Sequence, residues 1–202
     1  MKKMQSKFLF VADDPCLDFL NTQMILKGNP VDTLETFGDL VSWIQESSIE
    51  TVSDFSVQKL DGKPEAARAL SEAKRFREML RDMVVKLIEG KRVPDSTFQQ
   101  INLYMSRMEA HPVLLRDKNR FVKRSQNTID SPMDLLAPIA EAAANLLSTA
   151  DYSLIHKCEN DRCILYFYDT TRNHARRWCS MKACGNRHKA ATHYQKTRNK
   201  NA

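Results

Sequence analysis

Four cysteines near the C-terminal end, Cys158, Cys163, Cys179 and Cys184, are the residues whose type and spacing best support chemistry. They fall as C-x4-C, then fifteen residues, then C-x4-C again. Two short-range thiol pairs separated by a longer excursion suit a tetrahedral structural zinc site. Each pair supplies two thiolates from a tight knuckle, and the intervening chain closes the knuckles on one ion. The same four residues also admit two disulfides or four inert buried thiols. Disulfides need an oxidising compartment, and residues 1–10 hold lysines but no apolar run of signal-peptide length. The expectation is a cytoplasmic chain with reduced thiols and one structural Zn2+ per chain. Four thiolates leave no open coordination position, so the metal is expected to hold a scaffold. With no glycine-rich phosphate loop, nucleophile elbow or His-Glu metal motif in sight, the chain is expected not to be an enzyme.

The charge is concentrated where the cysteines are. From residue 155 onward there are 11 Lys/Arg against 3 Asp/Glu, whereas residues 1–154 carry 20 against 22. A near-neutral body with a strongly basic end suits an anionic polymer partner. Four of the five histidines, His156, His174, His188 and His193, also lie in the basic end. Apolar residues make up 42% and charged residues 28%, with only 5 Gly and 7 Pro. That composition points to a globular, helix-rich chain and away from disorder or an all-β sandwich, and no apolar run has the length of a membrane span.

The elements that must position the cysteines are read from periodicity and caps. Phe8 to Val11 is an edge strand or a lead-in. Asp13-Asp14-Pro15 starts a helix that Gly28-Asn29-Pro30 ends, and Asp18, Asn21 and Thr22 share one of its faces. Asp32-Thr33-Leu34-Glu35 resembles a capping box before Phe37, Leu40, Val41 and Ile44. Further helices are expected over Asp54 to Leu60, over Glu65 to Glu89 with an apolar stripe from Ala69 to Leu87, and from Pro94-Asp95 to Ala110 with Ile101, Tyr104, Met105 and Met108 inward. Val113 to Val122 reads as a hairpin. Ser131-Pro132-Met133-Asp134 caps a last body helix through Leu147. The boundary is placed at residue 150, giving a helical domain over 1–150 and a small zinc module over 151–202. Such a module is too small to bury a core of its own, and so needs its metal. A Cys158/Cys163 knuckle, a hairpin through Ile164 to Tyr168 and a helix from Cys179–Cys184 to about Lys196 give a treble-clef-like order. The fold class is therefore mainly α, with a small four-cysteine zinc-binding α+β module.

The residues around the second cysteine pair resemble the signature of the CGNR zinc-finger family. They are Arg172-Asn173, Arg176-Arg177-Trp178-Cys179-Ser180-Met181 and Cys184-Gly185-Asn186-Arg187, preceded by Tyr166-Phe167-Tyr168-Asp169. Members carry an N-terminal helical domain called ABATE, whose leucine-cysteine-leucine-aspartate-phenylalanine-x-asparagine-threonine motif is similar to Pro15-Cys16-Leu17-Asp18-Phe19-Leu20-Asn21-Thr22. Pro15 stands where the family has leucine. The resemblance implies a stress-linked bacterial transcription regulator whose finger binds DNA, with the zinc ligands at Cys158, Cys163, Cys179 and Cys184. Cys16 belongs to the N-terminal motif and not to the ligand set.

For nucleic acid, Arg172, Arg176, Arg177, Lys182, Arg187, Lys189, Lys196 and Arg198 suit phosphate contacts, and Asn186 and Arg187 suit base edges. Asn173, Asp169 and Arg187 equally suit tying the finger together, and Trp178 and Tyr166 suit a small core. Asp18, Asn21 and Thr22 either converge on a small effector or form a structural network joining their helix to its neighbours. The leading expectation is a zinc-dependent DNA-binding regulator whose helical domain senses an effector or forms a homodimer. Its rivals are a protein-interaction adaptor and an RNA-binding protein.

Overall fold

A computed structural model describes residues 6–49, 64–107, 109–118 and 120–200, with backbone alone at 109–111, 124–128, 196 and 198–200. The helix expected over Asp54 to Leu60 and the inward side chain of Met108 lie outside the described residues. The chain forms two compact units: residues 34–149, and a discontinuous unit of residues 1–33 with 150–202. Residues 6–33 thus pack with the cysteine-bearing segment, whereas the expected boundary at residue 150 places them in the helical domain.

The unit of residues 34–149 opens with α2 (Phe37–Glu46), the helix that follows α1 (Pro15–Leu20) along the chain. The cap of α2 is Thr36 with Asp39. The Asp39 backbone N–H donates to Thr36 Oγ1 at 3.2 Å, and the Thr36 N–H donates to the Asp39 carboxylate at 2.7 Å. The expected box at Asp32–Glu35 is displaced by one turn, since Asp32 still belongs to the strand Asn29–Asp32, and Thr33 after it donates its hydroxyl to the Thr22 carbonyl at 2.9 Å. α2 buries Phe37, Leu40, Val41, Trp43 and Ile44. The long helix α3 (Pro64–Ile88) buries Ala69, Ala73, Phe76, Leu80 and Met83, a stripe at three- and four-residue spacing. α4 (Asp95–Met105) meets it through the Phe76 and Tyr104 rings, edge to face with centroids 4.7 Å apart. The Tyr104 hydroxyl donates to Glu72 on α3.

α4 stops at Met105, short of the expected Ala110, because the chain turns into a hairpin of β3 (Glu109–Asp117) and β4 (Arg120–Thr128). Its register pairs Leu114 with Lys123, Leu115 with Val122 and Arg116 with Phe121. A short 3-10 turn (Pro132–Leu135) follows, where Asp134 accepts from the Ser131 N–H at 2.8 Å. It leads into α5 (Leu136–Thr149), whose fully buried Ala140 and Ala143 let it lie close against α3 and α4.

The discontinuous unit begins with α1. Asp14 accepts from the Leu17 N–H at 2.9 Å, and Pro15 occupies the first turn, where no donor is needed. α1 ends at Leu20, well before the expected Gly28. Residues 23–32 form instead a hairpin, β1 (Gln23–Leu26) with β2 (Asn29–Asp32), turning on Lys27 and Gly28 at φ of 52° and 88°. Two successive positive φ values match the right-handed twist of the strands, so the glycine marks a hairpin turn and not a helix stop. Phe8 to Val11 forms no strand. The unit resumes with β5 (Ile155–Lys157) and β6 (Tyr166–Tyr168), an antiparallel pair flanking the first cysteine knuckle. A widened helical turn (Met181–Gly185) then runs into α6 (Asn186–Lys200). α1 packs on β6, and Leu17, Phe19, Leu20, Ile155, Leu165 and Phe167 are buried. Among the described residues, no helix is long and apolar enough to cross a membrane.

Candidate metal centre and basic helix

Both knuckles are built from local backbone bonds. In the first, the Cys163 N–H donates to the Asn160 carbonyl at 2.8 Å, the Arg162 N–H donates to Asn160 Oδ1 at 3.1 Å, and the Cys158 N–H donates to the Leu165 carbonyl at 2.9 Å. In the second, the Gly185 N–H donates to the Ser180 carbonyl at 3.1 Å. A Cβ at Gly185 would lie 2.6 Å from Met181 Sδ and 3.1 Å from Trp178 Cδ1, so a larger residue there would push the Met181 side chain aside. The Glu159 N–H, donating to the Arg177 carbonyl at 3.0 Å, staples one knuckle to the approach of the other.

The knuckles bring all four thiols together. The sulfurs of Cys158, Cys163, Cys179 and Cys184 lie within 4.8 Å of one another, Cys163 to Cys179 at 3.8 Å and Cys179 to Cys184 at 3.6 Å. A tetrahedron with metal–sulfur bonds of about 2.3 Å has edges of about 3.8 Å, whereas a disulfide needs about 2.05 Å. The charges agree with that fit. A hydrogen bond from Cys179, working against burial, pulls the Cys163 thiol down to about 5. Its hydrogen bond to Cys163, then burial and the neighbouring thiolates, push Cys179 far up. Burial pushes Cys184 up to about 12, neighbouring thiolates adding to the effect. One thiolate forms readily and repels the next, so four thiolates in this space call for a divalent cation. Cys16 stands outside the cluster, and burial pushes its thiol well up.

The N-terminal motif supports this centre. Asn21 behaves as an extra strand residue beside β6: its Nδ2 donates to the Tyr166 carbonyl at 2.8 Å, and its Oδ1 accepts from the Tyr166 N–H at 2.9 Å. The Tyr168 N–H donates to the Ala12 carbonyl at 2.8 Å. Thr22 donates its hydroxyl to the Phe19 carbonyl at 2.7 Å. Asp18 Oδ1 accepts from the Val11 and Ala12 N–H groups, both at 2.9 Å. Of the two readings of Asp18, Asn21 and Thr22, effector site or structural network, these contacts fit the network, each residue engaging backbone in a different direction.

Burial pushes the Asp18 carboxyl up to about 6, against the pull of the Ala12 and Val11 N–H groups and with Asp14 and Asp13 adding to the push. A carboxyl that holds its proton more tightly folded than unfolded loses stability as pH rises between the unfolded value near 3.8 and the folded one near 6. Above pH 6 the ionised group costs up to about 3 kcal/mol. Both N–H donors reach Oδ1, which an amide oxygen replaces. Asp18→Asn is thus expected to be more stable than the parent above pH 6, the difference shrinking toward pH 4. Thermal melts of both chains at pH 4, 5, 6 and 7.5 decide it, and a less stable variant at pH 7.5 sinks the reading.

Arg176 is the second joint, and its placement corrects its assignment to phosphate. Its guanidinium donates to the Trp178 carbonyl at 3.1 Å, to the Cys179 carbonyl at 2.7 Å, to the Val11 carbonyl and to the Asp13 carboxylate. It also stacks over the Phe167 ring with its central carbon 4.3 Å from the centroid. A side chain 17% exposed with its donors engaged this way has nothing left for a phosphate. Asp169, fully buried, accepts from the Arg176 N–H at 2.8 Å and from the Thr171 N–H at 2.9 Å. Burial raises its carboxyl, and the Thr171 and Arg176 bonds more than reverse this, leaving it below the usual carboxylate range.

The other cations lie on the outside. Arg172, Arg177, Lys182, Asn186, Arg187 and Lys189 are exposed, as is Asn173. Arg177 pairs with Glu159 and lies over the Trp178 ring at 5.1 Å, while Asn186 donates to the Lys182 carbonyl at 3.3 Å. Trp178 is half-buried against His188, and Tyr166 is buried. Lys196 and Arg198 lie on α6, their side chains outside the described residues. α6 has no acidic residue, and its described side chains are exposed except for half-buried Thr192. A helix polar all round has no core to hold it, and its anchor is the metal knuckle from which it starts.

A family model described as "Putative stress-induced transcription regulator", ABATE, matches residues 13–150. The chain belongs to the ABATE family. The CGNR zinc finger model matches residues 155–197 of this ABATE protein. With the thiol geometry, that match makes Cys158, Cys163, Cys179 and Cys184 the ligands of one structural zinc ion. The ABATE chain is thus a regulator-family zinc-finger protein with the mainly α fold expected of it. No curated protein matches it. The supporting residues on the N-terminal side of the zinc, Val11, Ala12, Asp13 and Asn21, were not legible as such in the sequence. Their one signal was that the motif of residues 15–22 and the cysteine signature occur in the same chain.

Proposed function

We propose that this ABATE protein is a cytoplasmic, zinc-dependent DNA-binding regulator of bacterial stress-response transcription, with no catalytic step of its own. The observation that carries the reading is α6: fifteen residues that begin just after the last zinc ligand, without an acid and, among the described side chains, without a buried one. Such a helix gains nothing from the protein interior, and its cations suit the phosphates of a duplex, where release of condensed counterions drives binding. Zinc supplies the rigid start of the helix, and Arg172, Lys182, Arg187 and Lys189 supply exposed charge around that start. Arg177, paired with Glu159, contributes less. The unit of residues 34–149 is the place for effector sensing or homodimer formation, since Asp18, Asn21 and Thr22 are occupied in the other unit.

The test is the salt dependence of binding by the zinc-loaded full chain to a 20-bp duplex of random sequence, about two helical turns. Log affinity is expected to fall linearly with log salt, and Lys182→Gln/Arg187→Gln/Lys189→Gln to flatten the slope by roughly 2–3. No binding at low salt would defeat the proposal. A partner captured equally well after nuclease treatment would move it to a protein adaptor, and preference for a competing RNA to an RNA-binding role.

A further inference from the structure

The β3–β4 hairpin carries a surface that the zinc finger does not explain. Cross-strand partners share a face, so Leu114 with Lys123 and Arg116 with Phe121 form one side of the ribbon, and Leu115 with Val122 the other. The second side is partly covered, Val122 being half-buried. The first is open: Leu114 is 69% and Phe121 64% exposed, and Arg116 and Lys123 are exposed beside them. The Arg116 guanidinium carbon sits 5.2 Å from the centre of the Phe121 ring, a cation–π contact across the two strands. Lys118 and Arg120 add two more exposed cations at the tip, where the described acid is Asp117. Among the described residues, none of these four cations forms an ion pair.

An isolated two-stranded ribbon is marginal in water, and large apolar side chains held open on one mark a surface with a partner. A second copy of the chain would bring a face with the same two cations, Arg116 and Lys123, and a like charge on both faces opposes self-association. The anionic counterpart of apolar side chains ringed by cations is a nucleic acid, where the cations take phosphates and the apolar groups take sugar and base surface. A two-stranded ribbon fits the major groove, about 12 Å wide, and nine-residue strands span about 30 Å, close to one helical turn of duplex. We infer that the β3–β4 hairpin is a second duplex-DNA contact, supplied by the unit that does not bind zinc. The inference rests on the DNA-binding reading of the finger.

The experiment measures duplex affinity of the zinc-loaded full chain between 50 and 200 mM salt, the range over which phosphate contacts show most strongly. Arg116→Gln/Lys123→Gln, an exposed pair whose loss spares the fold, is expected to lower the salt slope by about 2. Leu114→Ser/Phe121→Ser is expected to weaken binding at every salt with the slope unchanged, zinc content and helical signal staying at parental values. Parental slope and affinity in both variants overturn the hairpin contact while leaving the finger reading intact. If the parent binds no duplex, the finger reading fails and this inference with it. A parent that sediments as a dimer, and becomes monomeric in Leu114→Ser/Phe121→Ser at unchanged DNA affinity, overturns the proposal in favour of a second copy.

Discussion

Removing zinc, or replacing Cys179 with Ser, is expected to unfold residues 155–185 while the helices of residues 34–149 persist. Cys179 lies between Cys163 at 3.8 Å and Cys184 at 3.6 Å, so its loss separates the two knuckles. A structural zinc ion contributes on the order of 10–16 kcal/mol to folding a small finger near neutral pH, more than the apolar burial of three-residue strands can replace. The chain's two tryptophans report separately, because Trp178 belongs to the zinc-bearing unit and Trp43 to the other. In a Trp43→Phe background, chelation should red-shift the Trp178 emission and release one zinc per chain to a chromogenic chelator. In a Trp178→Phe background the Trp43 emission should hold. Unchanged Trp178 emission in a metal-free chain with two disulfides would overturn the zinc assignment.

The second large effect is expected from a residue 145 positions away from its partner. Asn21→Ala removes both of its hydrogen bonds to the buried Tyr166 backbone, at about 1–3 kcal/mol for each bond lost there. The variant should therefore lose roughly 2–6 kcal/mol from the discontinuous unit and surrender zinc to a competing chelator at lower concentrations than the parent. Asn21→Asp is a sharper version, since a carboxylate accepts from the Tyr166 N–H but repels its carbonyl. Arg176→Ala should act in the same direction by freeing the Val11 and Cys179 carbonyls and the Asp13 carboxylate. Zinc retention equal to the parent in Asn21→Ala would show that the N-terminal motif does not brace the finger.

The zinc ligands were legible in the sequence because ligation depends on residue type and short spacing, both of which are local. The helices α2, α3 and α5 were legible for a related reason: each repeats its apolar residues every three or four positions along one uninterrupted segment. The β1–β2 hairpin was not, since strands of four residues carry too few alternations, and Lys27-Gly28 reads as a helix terminus until both φ values are known. Arg176 and Arg177 make the limit plain. They are adjacent and of one type, yet one guanidinium is folded inward onto Phe167 and four backbone or carboxylate acceptors, and the other lies outside against Glu159. What separates them is the arrival of Val11 and Asp13 from the far end of the chain, and no local pattern announces that. Asn21 presents the same problem: its face on α1 was visible, but the edge of β6 that it completes was not.

The pairing of residues 6–33 with residues 150–202 also sets an order of events during synthesis. A ribosome that has delivered α1 must still add the whole of residues 34–149 before any part of its partner strand exists. At about 5–20 residues per second that interval is on the order of 10 s. Over that time the apolar side of α1 and the amide of Asn21 have no permanent neighbour, while the intervening helical unit, contiguous in sequence, can fold by itself. The full set of four thiols exists only after the second cysteine pair has been added. A chain interrupted before the second cysteine pair lacks half of the ligand set, and one interrupted before residue 166 also lacks the strand that Asn21 completes.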